Sequence, residues 1–235
     1  MSYARPSDIV IALLCNKAYK LPQLADPSTL DLSDLGYTLV DVLYSKDKDG
    51  IRPYGFIANA EDQGQVVIFR GTVAWSEWAN DLDVKFTSAI PVCSGKIHEG
   101  FFGLYLHLQT KEGDDTLWRK KLDPDSLIVA GHSLGGALAT FLATEIQART
   151  LVTFGSPKCG DEVFANCAKA LLSEVVRYAV RYDVVTQVPM YAFNQAWMHI
   201  GDPVVLNDGK VNDYNLVRYH SLDTYIALLK TKGMV

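Results

Sequence analysis

The sequence predicts an α/β fold, a central, mostly parallel sheet with helices on both faces, and three observations carry the prediction. Short continuous apolar runs, VVIF from Val66, LIVA from Leu127 and LVTF from Leu151, are the pattern of strands covered on both sides. Stretches of helical period separate these runs, the alternation that builds a parallel sheet through crossover helices. One run, Ser126–Ala130, passes directly into Gly131-His132-Ser133-Leu134-Gly135 and then into an alanine-rich segment, as when a buried strand turns sharply into a helix.

In chain order, Ser7 stands at the head of an amphipathic helix with apolar positions Ile9, Leu13 and Leu14. Asp8 precedes this short apolar stretch and no small-residue cleavage site follows, so it is read as a helix and not as a signal peptide. That reading favours a cytoplasmic location, or a secreted one if the chain is a mature form. Strands are expected at Tyr37–Tyr44, Tyr54–Ala60 and Gln65–Arg70, some of them antiparallel at the N-terminal edge of the sheet. Phe101, Leu104, Tyr105 and Leu108 lie at i, i+3, i+4 and i+7 and place a helix over Gly100–Leu108. The strand Ser126–Ala130 feeds a helix at Leu134–Gln147. Strand Leu151–Phe154, helix Glu162–Leu171, strands Val175–Val180 and His199–Leu206, and helix Ser221–Lys230 complete the order. With 235 residues and no repeat, low-complexity tract or linker, residues 1–235 are expected to form a single domain.

Composition narrows the function. A hydrophobic share of 49% and a charged share of 21% are those of an ordinary soluble globule. The net charge of −5, with no basic stripe, argues against nucleic acid. It also gives no pull toward anionic membranes, so any lipid contact must rest on apolar side chains. No apolar run is long enough to span a bilayer. The four cysteines, Cys15, Cys93, Cys159 and Cys167, show neither C-x-x-C pairing nor zinc-like spacing. They read as buried thiols, with one or two disulfides open to a secreted protein.

The turn after Ala130 carries the chemistry. Without Cβ atoms, Gly131 and Gly135 let strand and helix approach closely, so Ser133 is expected at the apex of a strained turn, pointing into solvent. The Leu134 N–H then lies at a helix N-terminus, where partial positive charge can stabilise an oxyanion. This is the G-x-S-x-G nucleophile elbow of the α/β-hydrolase fold.

A serine hydroxyl needs a base and a carboxylate, which follow it in that fold in the order Ser, Asp/Glu, His. Two histidines lie beyond the elbow. His199 falls in a strand-like run, where packing is its expected role; His220 precedes an amphipathic helix on a loop that can deliver a side chain, and is taken as the base. Asp183 follows a core strand directly and is preferred as the acid over Asp161, Asp202, Asp208 and Asp213.

With these residues in place, the chain resembles the class 3 lipases, the family of filamentous-fungal triacylglycerol lipases and related feruloyl esterases. The resemblance runs from about Val66 to the C-terminus in ordered blocks: VVIFRGT, WANDLDV, KIHEGFFGLY, VAGHSLGGALA, LVTFGSPKCGDEVFA, RYDVVTQVP and YHSLDTY. It implies Ser133 as nucleophile, Asp183 as acid and His220 as base, in agreement with the choices made from the residues. It further implies Thr72 as the second oxyanion donor beside Leu134, with Asp81 orienting the Thr72 hydroxyl. His98 matches a family histidine near the site, and a structural role is expected for it. No metal or organic cofactor is implied. The acid loop reads Gln187-Val188-Pro189-Met190 where the family carries more prolines, and no signal or pro-segment is read.

Between Thr72 and Lys85, Trp75, Trp78 and Leu82 stand at i, i+3 and i+7, with Ser76, Glu77, Asn80 and Asp81 on the other side. Such a stretch, about 73–85, suits a lid whose apolar face turns toward lipid. The expected activity is serine-dependent hydrolysis of carboxylic esters, acylglycerols first, on a lipid or ester substrate at an oil–water interface. Phospholipase A1 activity or a short-chain or feruloyl-type esterase is the alternative. A catalytically silent member of the fold is disfavoured by the retained serine, acid, histidine and threonine.

Overall fold

In chain order, β1 (Thr38–Asp47), β2 (Gly50–Ala60), β3 (Gly64–Phe69), β4 (Phe86–Ser88) and β5 (Lys96–His98) form the N-terminal strands. β6 (Ile128–His132), β7 (Thr150–Phe154), β8 (Gly160–Asp161), β9 (Glu174–Val180), β10 (Trp197–Met198) and β11 (Pro203–Leu206) follow. The helices are α1 (Asp8–Ala18), α2 (Glu99–Leu106), α3 (Leu117–Lys120), α4 (Leu134–Ile146), α5 (Glu162–Leu171), α6 (Leu216–His220) and α7 (Leu222–Thr231). The computed structural model describes residues 4–47, 50–72, 85–111, 113, 117–189, 196–207, 209 and 215–233.

Seven strands join in the order β1-β2-β3-β6-β7-β9-β11. The first three pair antiparallel, and every pairing from β3 onward is parallel. The fold is therefore the expected α/β architecture, with its antiparallel strands at the N-terminal edge. The apolar runs are continuous because both faces are covered. Val67, Phe69, Val129 and Leu151 point into a core shared with Phe101 and Tyr105 of α2, Leu138 and Phe141 of α4 and Phe164 of α5. Their alternates, Val66, Ile68, Ile128, Ala130 and Val152, meet Ile11 and Leu14 of α1 and Tyr225 and Leu229 of α7. Truncating one of these buried side chains, such as Phe141→Ala, costs about 3–5 kcal/mol.

α1 begins where expected: the Ser7 side chain accepts the Val10 N–H and Asp8 occupies the first turn. Two expectations change. The run His199–Leu206 is not one strand. Its C-terminal part is β11, whereas Trp197–Met198 pairs with β8 in a small antiparallel sheet, and Gly201, at φ +75°, breaks the path between them. That second sheet, β10-β8-β5-β4, is built from strands of two or three residues, too short to show a period. The cysteines are not all thiols: Cys93 and Cys167 form a disulfide, with a Cα–Cα distance of 5.7 Å, between the segment after β4 and α5. Cys15 and Cys159 are free and buried. Among the described residues no helix is long and apolar enough to cross a membrane.

Candidate active site

β6 is the middle strand of the large sheet, and Ser133 follows it at once as the N-cap of α4. Its backbone sits at φ 58°, ψ −132°, a region that costs a non-glycine residue of order 1–3 kcal/mol. The flanking glycines let the turn close. A Cβ on Gly135 would stand 2.5 Å from the Phe69 carbonyl oxygen, and one on Gly131 would overlap the Gly135 carbonyl. In one respect the serine departs from expectation: it is fully buried, at 0% exposure, and does not point into solvent. Gly71 packs against its Cβ, so close that a side chain there would meet Ser133 Cβ at 2.7 Å.

The residues singled out in the sequence converge on this serine. His220 Nε2 lies 2.8 Å from Ser133 Oγ, and His220 Nδ1 lies 2.9 Å from Asp183 Oδ2 and 3.0 Å from Oδ1. A carboxylate only accepts, so Nδ1 carries the imidazole proton and Nε2 faces the serine as acceptor. His220 does not sit on a loop, as its sequence suggested. It ends the short helix α6, one residue before α7.

Asp183 caps a 3₁₀ turn, Val184–Gln187, beyond β9, and its carboxylate takes the Val185 N–H at 3.0 Å. The preceding Tyr182, at φ 103°, turns the chain to bring it there. Sequence reasoning missed a further partner: Tyr225 of α7 donates to Asp183 Oδ2 at 2.6 Å and accepts the Val180 N–H at 3.1 Å. Burial, and then the Asp183 charge, push the Tyr225 phenol well above its ordinary value, so it remains a donor. Tyr225 closes the block YHSLDTY, but its spacing from His220 gave no sign that its hydroxyl reaches the acid.

Arg70 orients the strand end next to the serine. Its guanidinium donates to the Pro53 carbonyl through Nε and to the Gly71 carbonyl through a terminal nitrogen, each at 2.7 Å. The trans peptide then directs the Thr72 N–H away from Arg70. Among the described residues neither the Thr72 N–H nor the Leu134 N–H is taken by a protein acceptor.

Other expectations resolve simply. His199 is a packing residue: its Nε2–H donates to the Thr186 carbonyl at 2.7 Å and braces the acid turn. Burial, then the Arg177 charge, lower its pKa to about 4. His98 caps α2 through Nδ1 and stacks on Phe101. Asp161 caps α5 and Asp202 is exposed, while Asp208 and Asp213 lie outside the described residues. So do Asp81, Trp75, Trp78 and Leu82. Among the described residues no group of three or more His, Cys, Asp or Glu side chains could hold a metal ion.

A parallel sheet, a serine elbow after its middle strand and a hydrogen-bonded serine, histidine and aspartate are the arrangement of the α/β-hydrolase class. The chain belongs to the class 3 lipase family, whose model matches residues 66–193. It is 31% identical to a lipase of Rhizomucor miehei over 152 residues, which cover 60% of this chain and 41% of the relative. It is 27% identical to phospholipase A1-IIbeta of Arabidopsis thaliana over 73% of this chain and 52% of that one. The chain thus spans about half the length of the curated relatives it matches. In fold it superposes on the native propeptide complex of the Rhizomucor miehei lipase, with TM-score 0.67 at 24% identity, over 88% of this chain and 72% of that one. It also superposes, with TM-score 0.68 at 20% identity over 92% and 90% of the two chains, on a triacylglycerol lipase whose catalytic centre is a serine-protease triad.

Proposed function

We propose that the protein hydrolyses carboxylic esters, acylglycerols first, through an acyl-enzyme on Ser133. The observation that carries this reading is the continuous line from Ser133 Oγ through His220 to Asp183, with contacts of 2.8 and 2.9 Å. Ser133 Oγ attacks the ester carbonyl carbon while His220 Nε2 takes its proton, and Asp183 holds the imidazole in the tautomer that can accept it. The Thr72 and Leu134 N–H groups receive the oxyanion, each worth about 10²–10³ in rate. The leaving alcohol takes the proton from His220. Water, activated by the same base, then releases the carboxylic acid and restores the serine. Ser133→Ala is expected to abolish fluorophosphonate labelling and to lower hydrolysis of p-nitrophenyl esters by at least about 10³-fold, with the fold intact. A variant that keeps more than a few per cent of the activity removes Ser133 from the mechanism.

Phospholipase A1 activity is a second reading, favoured by the likeness to Arabidopsis thaliana phospholipase A1 sequences across 73% of the chain. The same site serves both substrates. Fatty-acid release from a triglyceride emulsion and from the sn-1 position of a phospholipid, compared at equal enzyme, decides between them. A panel of p-nitrophenyl esters of rising acyl length separates either from a short-chain esterase.

A further inference from the structure

His132 stands beside the nucleophile, is 4% exposed, and has no part in the steps above. Its two ring nitrogens are both engaged. Nε2 lies 2.8 Å from the main-chain carbonyl of His220, which only accepts, so Nε2 carries the proton. Nδ1 is then an acceptor, and the Tyr19 hydroxyl donates to it at 2.6 Å. The same Tyr19 oxygen accepts the Gly71 N–H at 3.0 Å. The bonds therefore run in one direction, from the Gly71 amide to Tyr19, to His132, to the backbone of His220. A protonated His132 would leave the Tyr19 proton without this acceptor. Burial, and then the His220 charge, push His132 well below the ordinary histidine range, and burial raises the Tyr19 phenol.

This chain joins three parts of the site that are far apart in sequence. The His132 ring stacks against the His220 ring, with centroids 4.7 Å apart and planes inclined by 30°, so carbonyl and ring of the base are both located from the residue preceding the nucleophile. At the other end, the Gly71 amide leads directly into Thr72. Gly71 must be glycine at this place, because a Cβ would stand 2.5 Å from the Tyr19 oxygen.

We propose that His132, in its Nε2–H tautomer, and Tyr19 are positioning residues that fix the base His220 and the oxyanion strand at Gly71–Thr72 at one set distance from Ser133. The proposal rests on the ester-hydrolase reading above. Neither residue touches the reacting atoms. Their effect is on the register of the groups that do, where a displacement of about 1 Å can cost on the order of 10²-fold in rate.

The test uses the whole chain and a soluble p-nitrophenyl ester, with active sites counted by fluorophosphonate labelling so that unfolded protein drops out. Tyr19→Phe and His132→Leu are each expected to lower kcat per labelled site about tenfold with KM changed less than about twofold, because alignment is lost and binding is not. The double variant is expected to be no slower than the slower single one, since both break the same chain of bonds. His132→Gln, whose amide N–H can reach the His220 carbonyl, is expected to recover most of the loss. Unchanged kcat per labelled site in both single variants, or fully multiplicative losses in the double, overturns the proposal. Should His132→Leu fail to fold, long-range ¹H–¹⁵N spectra of the unmodified protein at pH 7 decide it: His132 as the Nε2–H tautomer supports the proposal, and as Nδ1–H or charged overturns it. An unmodified protein that neither labels at Ser133 nor cleaves the ester overturns the hydrolase reading and this role with it. Active protein with indifferent variants overturns the positioning role alone.

Discussion

At Asp183 a single oxygen, Oδ2, meets both the base and the Tyr225 hydroxyl. Tyr225→Phe removes that hydroxyl, leaving the buried Val180 N–H unpaired and the carboxylate with the Val185 N–H and His220 alone. A cost of about 1–3 kcal/mol in stability is expected, from the unsatisfied amide. The ester-hydrolysis kcat is expected to fall several-fold with KM little changed. Urea unfolding and steady-state kinetics on one preparation check both, and equal stability with unchanged kcat would show that the hydroxyl contributes nothing. The residues of the proposed triad were legible because each occupies a locally marked place: Ser133 between glycines after an apolar run, Asp183 after a core strand, His220 before an amphipathic helix. Tyr225, Tyr19 and His132 were not. Their importance comes from contacts across 42 and 113 residues of sequence, which no local pattern encodes.

The 3₁₀ turn that carries Asp183 depends on a titrating brace. His199 donates to the Thr186 carbonyl and is neutral when folded, with a pKa of about 4, whereas in the unfolded chain it takes up a proton near the ordinary value of about 6.5. Between those values the unfolded state binds more protons, so stability falls as the pH drops through this window and the loss is complete below about 4. From pH 7 to pH 5 the loss is expected to be about 1–2 kcal/mol, after allowing for the partial exposure of the ring. His199→Gln keeps a donor for Thr186 and removes the proton. It should flatten this part of the pH dependence, while the slope from buried, neutral His132 remains. Urea midpoints at the two pH values measure the difference, and equal slopes in both proteins would remove His199 as its source. The elements themselves were legible where they are long. α4, β6 and β7 follow from apolar period and glycine placement. The strands of the small sheet escape because two residues have no period, and the His199–Leu206 run was misjudged because Gly201 carries the bend.

For the molecule as a whole, the disulfide is the feature that spacing could not supply. Cys93 and Cys167 are 74 residues apart, and only the fold brings the segment after β4 beside α5. Closing so long a loop is worth about 2–4 kcal/mol, so reduction is expected to lower the melting temperature by about 5–10 °C. Thermal unfolding with and without a reductant, on the protein and on Cys93→Ser, tests this. A melting temperature indifferent to both would show that the bond adds no stability. The architecture was legible at this scale for a different reason: runs apolar on both faces can be buried only in a sheet with helices on both sides, and β3, β6 and β7 are such runs.

Ser133 and His220 are 87 residues apart, His220 and Asp183 are 37 apart, and the segments that bear them follow β6, β9 and β11, which meet only through parallel pairing. Parallel contacts of this kind close late on a folding pathway, because chain entropy must be given up before they form. Chemical competence is therefore a clock for the last stage of folding. After dilution from urea, helical ellipticity should return first, and fluorophosphonate labelling at Ser133 should lag it. Simultaneous recovery of the two signals would mean that the sheet and its helices form in one step.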